Sequence, residues 1–363
     1  MIQRSALLGL MLVCGLLLSA CSTGAYFWQA TTGHLGVLAA AENIDEVLAR
    51  KDISEKLRTQ LQHVKEIREF SVTQLGLPDN RSYRTYADLN RAFAVWNVVA
   101  SQPDSLTLET WCFPLLGCIS YKGFYSESNA QALASDLRRQ GLDVAVLGIP
   151  AYSTLGFTPD PVLNTFVNYP AGELARLVFH ELAHQVVYIA DDSMFNESFA
   201  TAVEELGVVA WLAQPGREAL KSQYEVFDSR RNDFRQMMAL ARDDLEQVYE
   251  NANQLDKQRL LVLKQQRFEQ LLAEYAQLKV SWGGWSGYDR FMAEDLNNAK
   301  LGVSGLYTQY VPAFKALHGL CDQSFQRFYA ATEALGQYSR EQRGKLLAEL
   351  QRGAPLSFGF KCS

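Results

Sequence analysis

The chain is 363 residues long, 48% hydrophobic and 20% charged, the composition of a globular protein with material for a sizeable core. Its formal net charge of -6 lends nothing to nucleic-acid binding, which leans on a clustered basic surface, so no nucleic-acid partner is expected.

Arg4 precedes an apolar run, Ala6 to Leu18, that is too short for a comfortable membrane span. It leads into Leu18-Ser19-Ala20-Cys21, which resembles the lipobox of bacterial lipoprotein signal peptides. The resemblance implies removal of residues 1–20, acylation of Cys21 and a membrane tether; an ordinary secretory signal or an N-terminal membrane helix is the alternative. Several acyl chains anchor stably, because each buried methylene adds about 0.8 kcal/mol. Ser22, where an acidic residue could stand, points by analogy with Gram-negative sorting to the outer membrane, with residues 21–363 as one periplasm-facing domain. Of six cysteines, Cys14 leaves with the signal and Cys21 carries lipid. The other four suit two disulfides in an oxidising compartment, and Cys112–Cys118 with Cys321–Cys362 is preferred among three pairings.

Residues 39–75 read as one helix, with Leu57, Leu61, Val64 and Ile67 at three- and four-residue spacing. Residues 92–100 and 105–113 flank Gln102-Pro103-Asp104 and predict a β-hairpin, with residues 119–125 as a third strand. A short helix over 129–140 and a buried strand over 144–149 follow. Residues 172–211 are helical apart from a break at Asp191-Asp192-Ser193. Residues 216–280 hold the periodicity of two helices with a break near Asn251-Ala252-Asn253, predicting an inserted antiparallel hairpin that acts as a rigid arm or as a partner-binding coil. From Tyr288 onward the chain is mostly helical. The predicted class is α+β, predominantly helical, with a small sheet.

His180-Glu181-Leu182-Ala183-His184 carries the chemistry. On a helix, residues four apart lie one above the other, so both imidazoles face one point and take two positions of a tetrahedral zinc ion. Glu181 is then placed to act as general base on a water whose pKa the zinc lowers toward ~7. Downstream, Asn196-Glu197-Ser198-Phe199-Ala200 opens a second helix, and Glu197 supplies a third, oxygen ligand. Glu204, two turns further on, is placed to accept the remaining ring N–H of a zinc-bound histidine. The other histidines, His34, His63 and His318, read as surface or helix-packing residues.

His180–Gln185 with Asn196–Ala200 and Glu204 is similar to the active-site core of the gluzincins, especially the alanyl-aminopeptidase and leukotriene-hydrolase family. The lipobox, Ala151-Tyr152-Ser153-Thr154-Leu155-Gly156 and Asn297-Asn298-Ala299 resemble, more narrowly, a bacterial lipoprotein family described as aminopeptidases. The resemblance implies a zinc peptidase with a peptide substrate, an edge strand at Tyr152, Ser153 and Thr154 that pairs with substrate backbone, and an oxyanion-steadying hydroxyl from Tyr307 or Tyr310. A plain loop is the other reading of residues 151–155. The chain departs from the large aminopeptidases in a shorter link, twelve residues between His184 and Glu197, and in lacking a Gly-Ala-Met-Glu-Asn-like motif to hold a free amine. A non-catalytic envelope scaffold that keeps the zinc fold is the alternative function. Substrate specificity and protein partners are not legible.

Overall fold

The computed structural model describes residue 24 and residues 26–113, 117–251, 256–294, 296–306 and 309–362. The protein is α+β and mostly helical. A first helix, α1, covers residues 26–39. The single helix expected over 39–75 is instead β1 (Ala41–Asn43), α2 (Ile44–Ala49) and α3 (Glu55–Thr73). Two N-caps divide it: the Asn43 side chain accepts from Asp45 N, and that of Ser54 accepts from Leu57 N. Local capping outcompetes helix continuation there.

The main sheet has the order β6-β3-β7, with β3 (Val95–Ser101) antiparallel to both β6 (Lys122–Phe124) and β7 (Asp143–Ile149). The hairpin expected between 92–100 and 105–113 does not form: residues 105–113 reach β3 through one bridge, Ser101 to Leu108. Residues Trp111–Phe113 (β4) pair instead with Gly117–Ile119 (β5), and Cys112 bonds Cys118 across that ribbon. The strand expected over 119–125 is accordingly split between β5 and β6. A second sheet, β1-β2-β8, joins β2 (Thr85–Ala87) and β8 (Val162–Leu163) to β1.

Alternation along β3 assigns its two faces. Trp96, Val98 and Ala100 pack on Ala130 and Ala134 of α4 (Glu127–Arg139). On the opposite face, Val99 packs with Ala299 of α10 (Asn298–Leu306). The Asn297-Asn298-Ala299 segment is a clamp. The Asn298 side chain donates to the carbonyls of Pro103 and Ser105 and accepts from the Tyr249 hydroxyl, while Asn297 donates to Val144 O.

The largest core joins α3, α5 (Ala171–Ala183) and α6 (Ser193–Leu212) to α11 (Val311–Leu320), α12 (Phe325–Gly336) and α13 (Arg340–Arg352). Helices α5 and α6 approach closely because Gly207 lacks a side chain: a Cβ there would lie 2.9 Å from the Phe179 ring. Cys321 and Cys362 are bonded at the C-terminal end, so both preferred cysteine pairs stand at disulfide distance. Two long helices, α7 (Glu218–Glu250) and α8 (Lys257–Ser281), pack together through Phe234, Met238, Leu245, Leu271 and Tyr275. The five-residue α9 (Asp289–Ala293) adds Met292 to that cluster. Part of the expected break, residues 252–253, lies outside the described residues, as does Cys21. Among the described residues no helix is long and apolar enough to cross a membrane.

Candidate metal centre and active site

Helix α5 is apolar on the side it presents to the core, where Leu174, Val178 and Leu182 are fully buried. Its last turn carries His180 and Glu181, and His184 is the C-cap. The chain then crosses to α6 through residues 185–192, a link fixed by side chains. Asn196 spans it, its Oδ1 accepting from Ile189 N at 2.8 Å and its Nδ2 donating to Ile189 O at 2.7 Å. Asp192 caps α6 by accepting from Phe195 N, and its other oxygen accepts from Arg343 at 2.7 Å in a buried ion pair. The β4–β5 ribbon rests on the same link: Cys118 N donates to Asp191 Oδ1 at 2.6 Å, and a Cβ at Gly117 would meet Asp191 N at 2.8 Å.

These supports bring His180, His184 and Glu197 into a group that can hold a metal ion. The Nε2 atoms of the histidines are 3.2 Å apart, and Glu197 Oε2 lies 3.3 Å from that of His180 and 3.7 Å from that of His184. A small tetrahedral cation with ligands at about 2.0–2.2 Å sets neighbouring ligand atoms roughly 3.3–3.6 Å apart, so the donor set fits one in both spacing and chemistry. Two nitrogens and a carboxylate oxygen converging in a buried site otherwise leave lone pairs facing each other.

Electrostatics favour the ligating forms of His180 and Glu197, whereas the carboxylates around His184 favour its protonated ring, whose proton a bound cation would displace. Burial lowers the pKa of His180, keeping the ring neutral with an Nε2 lone pair available. His184 is held above its usual value because Glu197 and Glu181 outweigh the lowering effect of burial. Burial opposes ionisation of Glu197, but His184 and His180 hold its carboxyl well below the usual range. Behind His180, Nδ1 stands 3.1 Å from Glu204 Oε2, while Arg176 grips the other oxygen of Glu204. This carboxylate therefore orients the ring from the far side.

Glu181 faces a cleft of about 530 Å³ that also touches His180, His184 and Glu197. Its carboxyl is pushed up to about 8, chiefly by burial, against the pull of His184. The opposite wall comes from many segments: Tyr26, Ala30 and His34 of α1, Val95 and Asn97 of β3, Tyr121, and residues 149–155. Residues 151–155 are not a strand. Leu155 and Gly156 turn with φ of 55° and 82°, and Asp160 accepts from both the backbone and the hydroxyl of Thr154, so the backbone folds back upon itself. Tyr152, Ser153 and Thr154 nonetheless line the cleft. Buried Asp160 is raised to about 6 by desolvation.

His34 corrects the expectation of a surface or packing residue. Its Nδ1 meets the Tyr152 hydroxyl at 2.9 Å and its Nε2 meets that of Thr158 at 2.8 Å, which ties α1 to the loop across the cleft. His318 packs against Phe325 and Phe328, as helix packing requires. Tyr307 lies outside the described residues. Tyr310 does not line the cleft; its hydroxyl approaches Gly344, and burial, then Asp192 against Arg340 and Arg343, sets its raised pKa. Among the tyrosines lining it that the sequence did not single out are Tyr121 and Tyr188, and Glu197 acts on the ionisation of both. Burial raises both hydroxyls above their usual pKa and so keeps them donors. Asn196 was visible only as part of its motif, and nothing in the sequence marks Tyr121.

No curated protein and no solved structure matches the chain. A family model does, over residues 25–347, a span that contains α5, α6 and every wall of the cleft. The chain therefore belongs to the family described as "Putative aminopeptidase".

Proposed function

We propose that this protein is a zinc-dependent peptidase of gluzincin type, tethered through lipid on Cys21 to the periplasmic side of a bacterial membrane. The observation that carries the reading is the convergence of His180, His184 and Glu197 beside Glu181 at the floor of an apolar cleft. The family described for the chain, a peptidase family by name, supports the reaction class.

His180, His184 and Glu197 would hold the zinc ion, a three-ligand set that leaves a fourth position open for chemistry. When bound, zinc supplies Lewis acidity and brings a water's pKa toward ~7. Glu181 takes the attacking water's proton and returns it to the departing amine nitrogen. A cation's charge beside Glu181 opposes the effect of burial and favours the ionised carboxylate that this role needs. Glu204, clamped by Arg176, keeps the His180 ring in place. Tyr121 and Tyr188, which line the cleft and whose ionisation Glu197 influences, are neutral hydroxyls that could donate to a developing oxyanion. Residues 216–280, with α7 and α8, are read as an antiparallel hairpin arm inserted in a single domain of residues 21–363.

Zinc titration into chelator-treated protein, followed by turnover on a peptide library, tests the reading. One equivalent of zinc and zinc-dependent cleavage are expected. Tight zinc binding with no peptide turnover would replace it with the envelope scaffold. Palmitate labelling tests the tether: the wild type should be labelled and Cys21→Ser should not, and label persisting in the variant would refute it.

A further inference from the structure

We infer that the site cuts within a chain, at apolar or aromatic residues, and does not read a free amino terminus; this rests on the peptidase reading above. An enzyme that removes residues from an amino terminus must compensate the substrate's ammonium group once it leaves water, because an unpaired buried charge costs several kcal/mol. Among the described residues, the carboxylates lining the larger cleft are Glu181 and Glu197, already assigned to proton transfer and metal binding, and no lysine or arginine lines it. The rest of its wall is aromatic, aliphatic or neutral polar.

A second cavity, about 260 Å³, shares Leu177, His180 and Glu181 with the first. Its charges are consumed within the protein. Arg231 forks the Glu173 carboxylate with two contacts of 2.8 Å. Arg176 holds Glu204, and Arg235 donates to Glu205 at 2.6 Å.

His180 and Glu181 thus border two cavities, and among the described residues neither cavity sets a group aside for a terminal ammonium. The larger cavity falls in the size range of preformed ligand sites, roughly 300–1,000 Å³, and its lining favours bulky neutral side chains.

The test uses the zinc-reconstituted full chain and one ten-residue peptide with a central Leu-Phe, prepared with a free and an acetylated amino terminus. Product masses should show internal cleavage, with the acetylated form cut within about threefold of the free form. Aminoacyl p-nitroanilides should be cut with kcat/KM about 100-fold lower or worse, the equivalent of an uncompensated charge. Stepwise release of single residues from the free form, abolished by acetylation, would overturn the inference and leave the peptidase reading standing. Cleavage of no peptide would overturn both. Binding gives a readout independent of turnover: calorimetry on Glu181→Gln should find similar Kd for both forms, and tighter binding of the free form by about 10-fold or more would contradict the inference. Ala30→Trp, which fills the larger cavity, should raise KM for the acetylated peptide about 10-fold while the variant still takes up one equivalent of zinc; an unchanged KM would place the substrate elsewhere.

Discussion

The two walls of the cleft are built differently. On the helical wall, His180, Glu181, His184 and Glu197 come from one short stretch of chain, and each is held by neighbours on α5, α6 or the link between them. The facing wall is assembled from α1, β3, the connector at Tyr121 and the loop at 149–155, segments that meet only in the folded protein. Local helical spacing can thus hold a metal group, whereas the surface that meets the substrate depends on tertiary packing. Damage to the first wall should abolish chemistry, and damage to the second should alter stability or selectivity by degrees.

The largest effect is expected from Glu197→Gln or His184→Ala. Each removes one of three converging donors, and zinc affinity should fall by more than about 100-fold, with turnover lost, in a metal-competition assay. Next is Asp192→Ala, which strips the α6 cap and leaves Arg343 without its buried carboxylate. A stability loss of about 3–5 kcal/mol in urea unfolding is expected. Glu204→Ala should then weaken zinc binding about 10–100-fold, because His180 loses its orienting partner.

On the facing wall the effects shrink. Burial raises Asp160 from 3.8 to about 6, so the folded state binds this proton more tightly than the unfolded chain does. Its contribution to stability is complete below the unfolded value and is lost as pH rises through about 6. Asp160→Asn should remove that decline, so that the variant's urea midpoint, relative to wild type, improves between acidic and neutral pH. A constant difference between the two proteins across that range would contradict the assignment.

The same contrast explains what could be read in the sequence. The His180–His184 spacing places both rings on one helix face by geometry alone, and the structure brings Glu197 and Glu204 beside them. The β-strands at 95–101 and 143–149 were legible because they are rich in β-branched and other apolar residues. Strand pairing was not: whether residues 105–113 joined β3 depended on β6 and β7 occupying both of its edges and on the Cys112–Cys118 ribbon drawing residues 111–119 together. The division of residues 39–75 was present in Asn43 and Ser54, but apolar periodicity obscured those caps. His34 and Tyr121 could not be assigned to the cleft, because their partners are remote in sequence.

The central claim is tested most directly by measuring zinc content and peptide turnover on the same preparation of Glu181→Gln. The variant keeps the size of the side chain and all three metal donors, so it should retain one equivalent of zinc. Loss of general-base assistance should lower kcat by about 10²–10⁴-fold. Full peptide turnover by zinc-loaded Glu181→Gln would contradict the account.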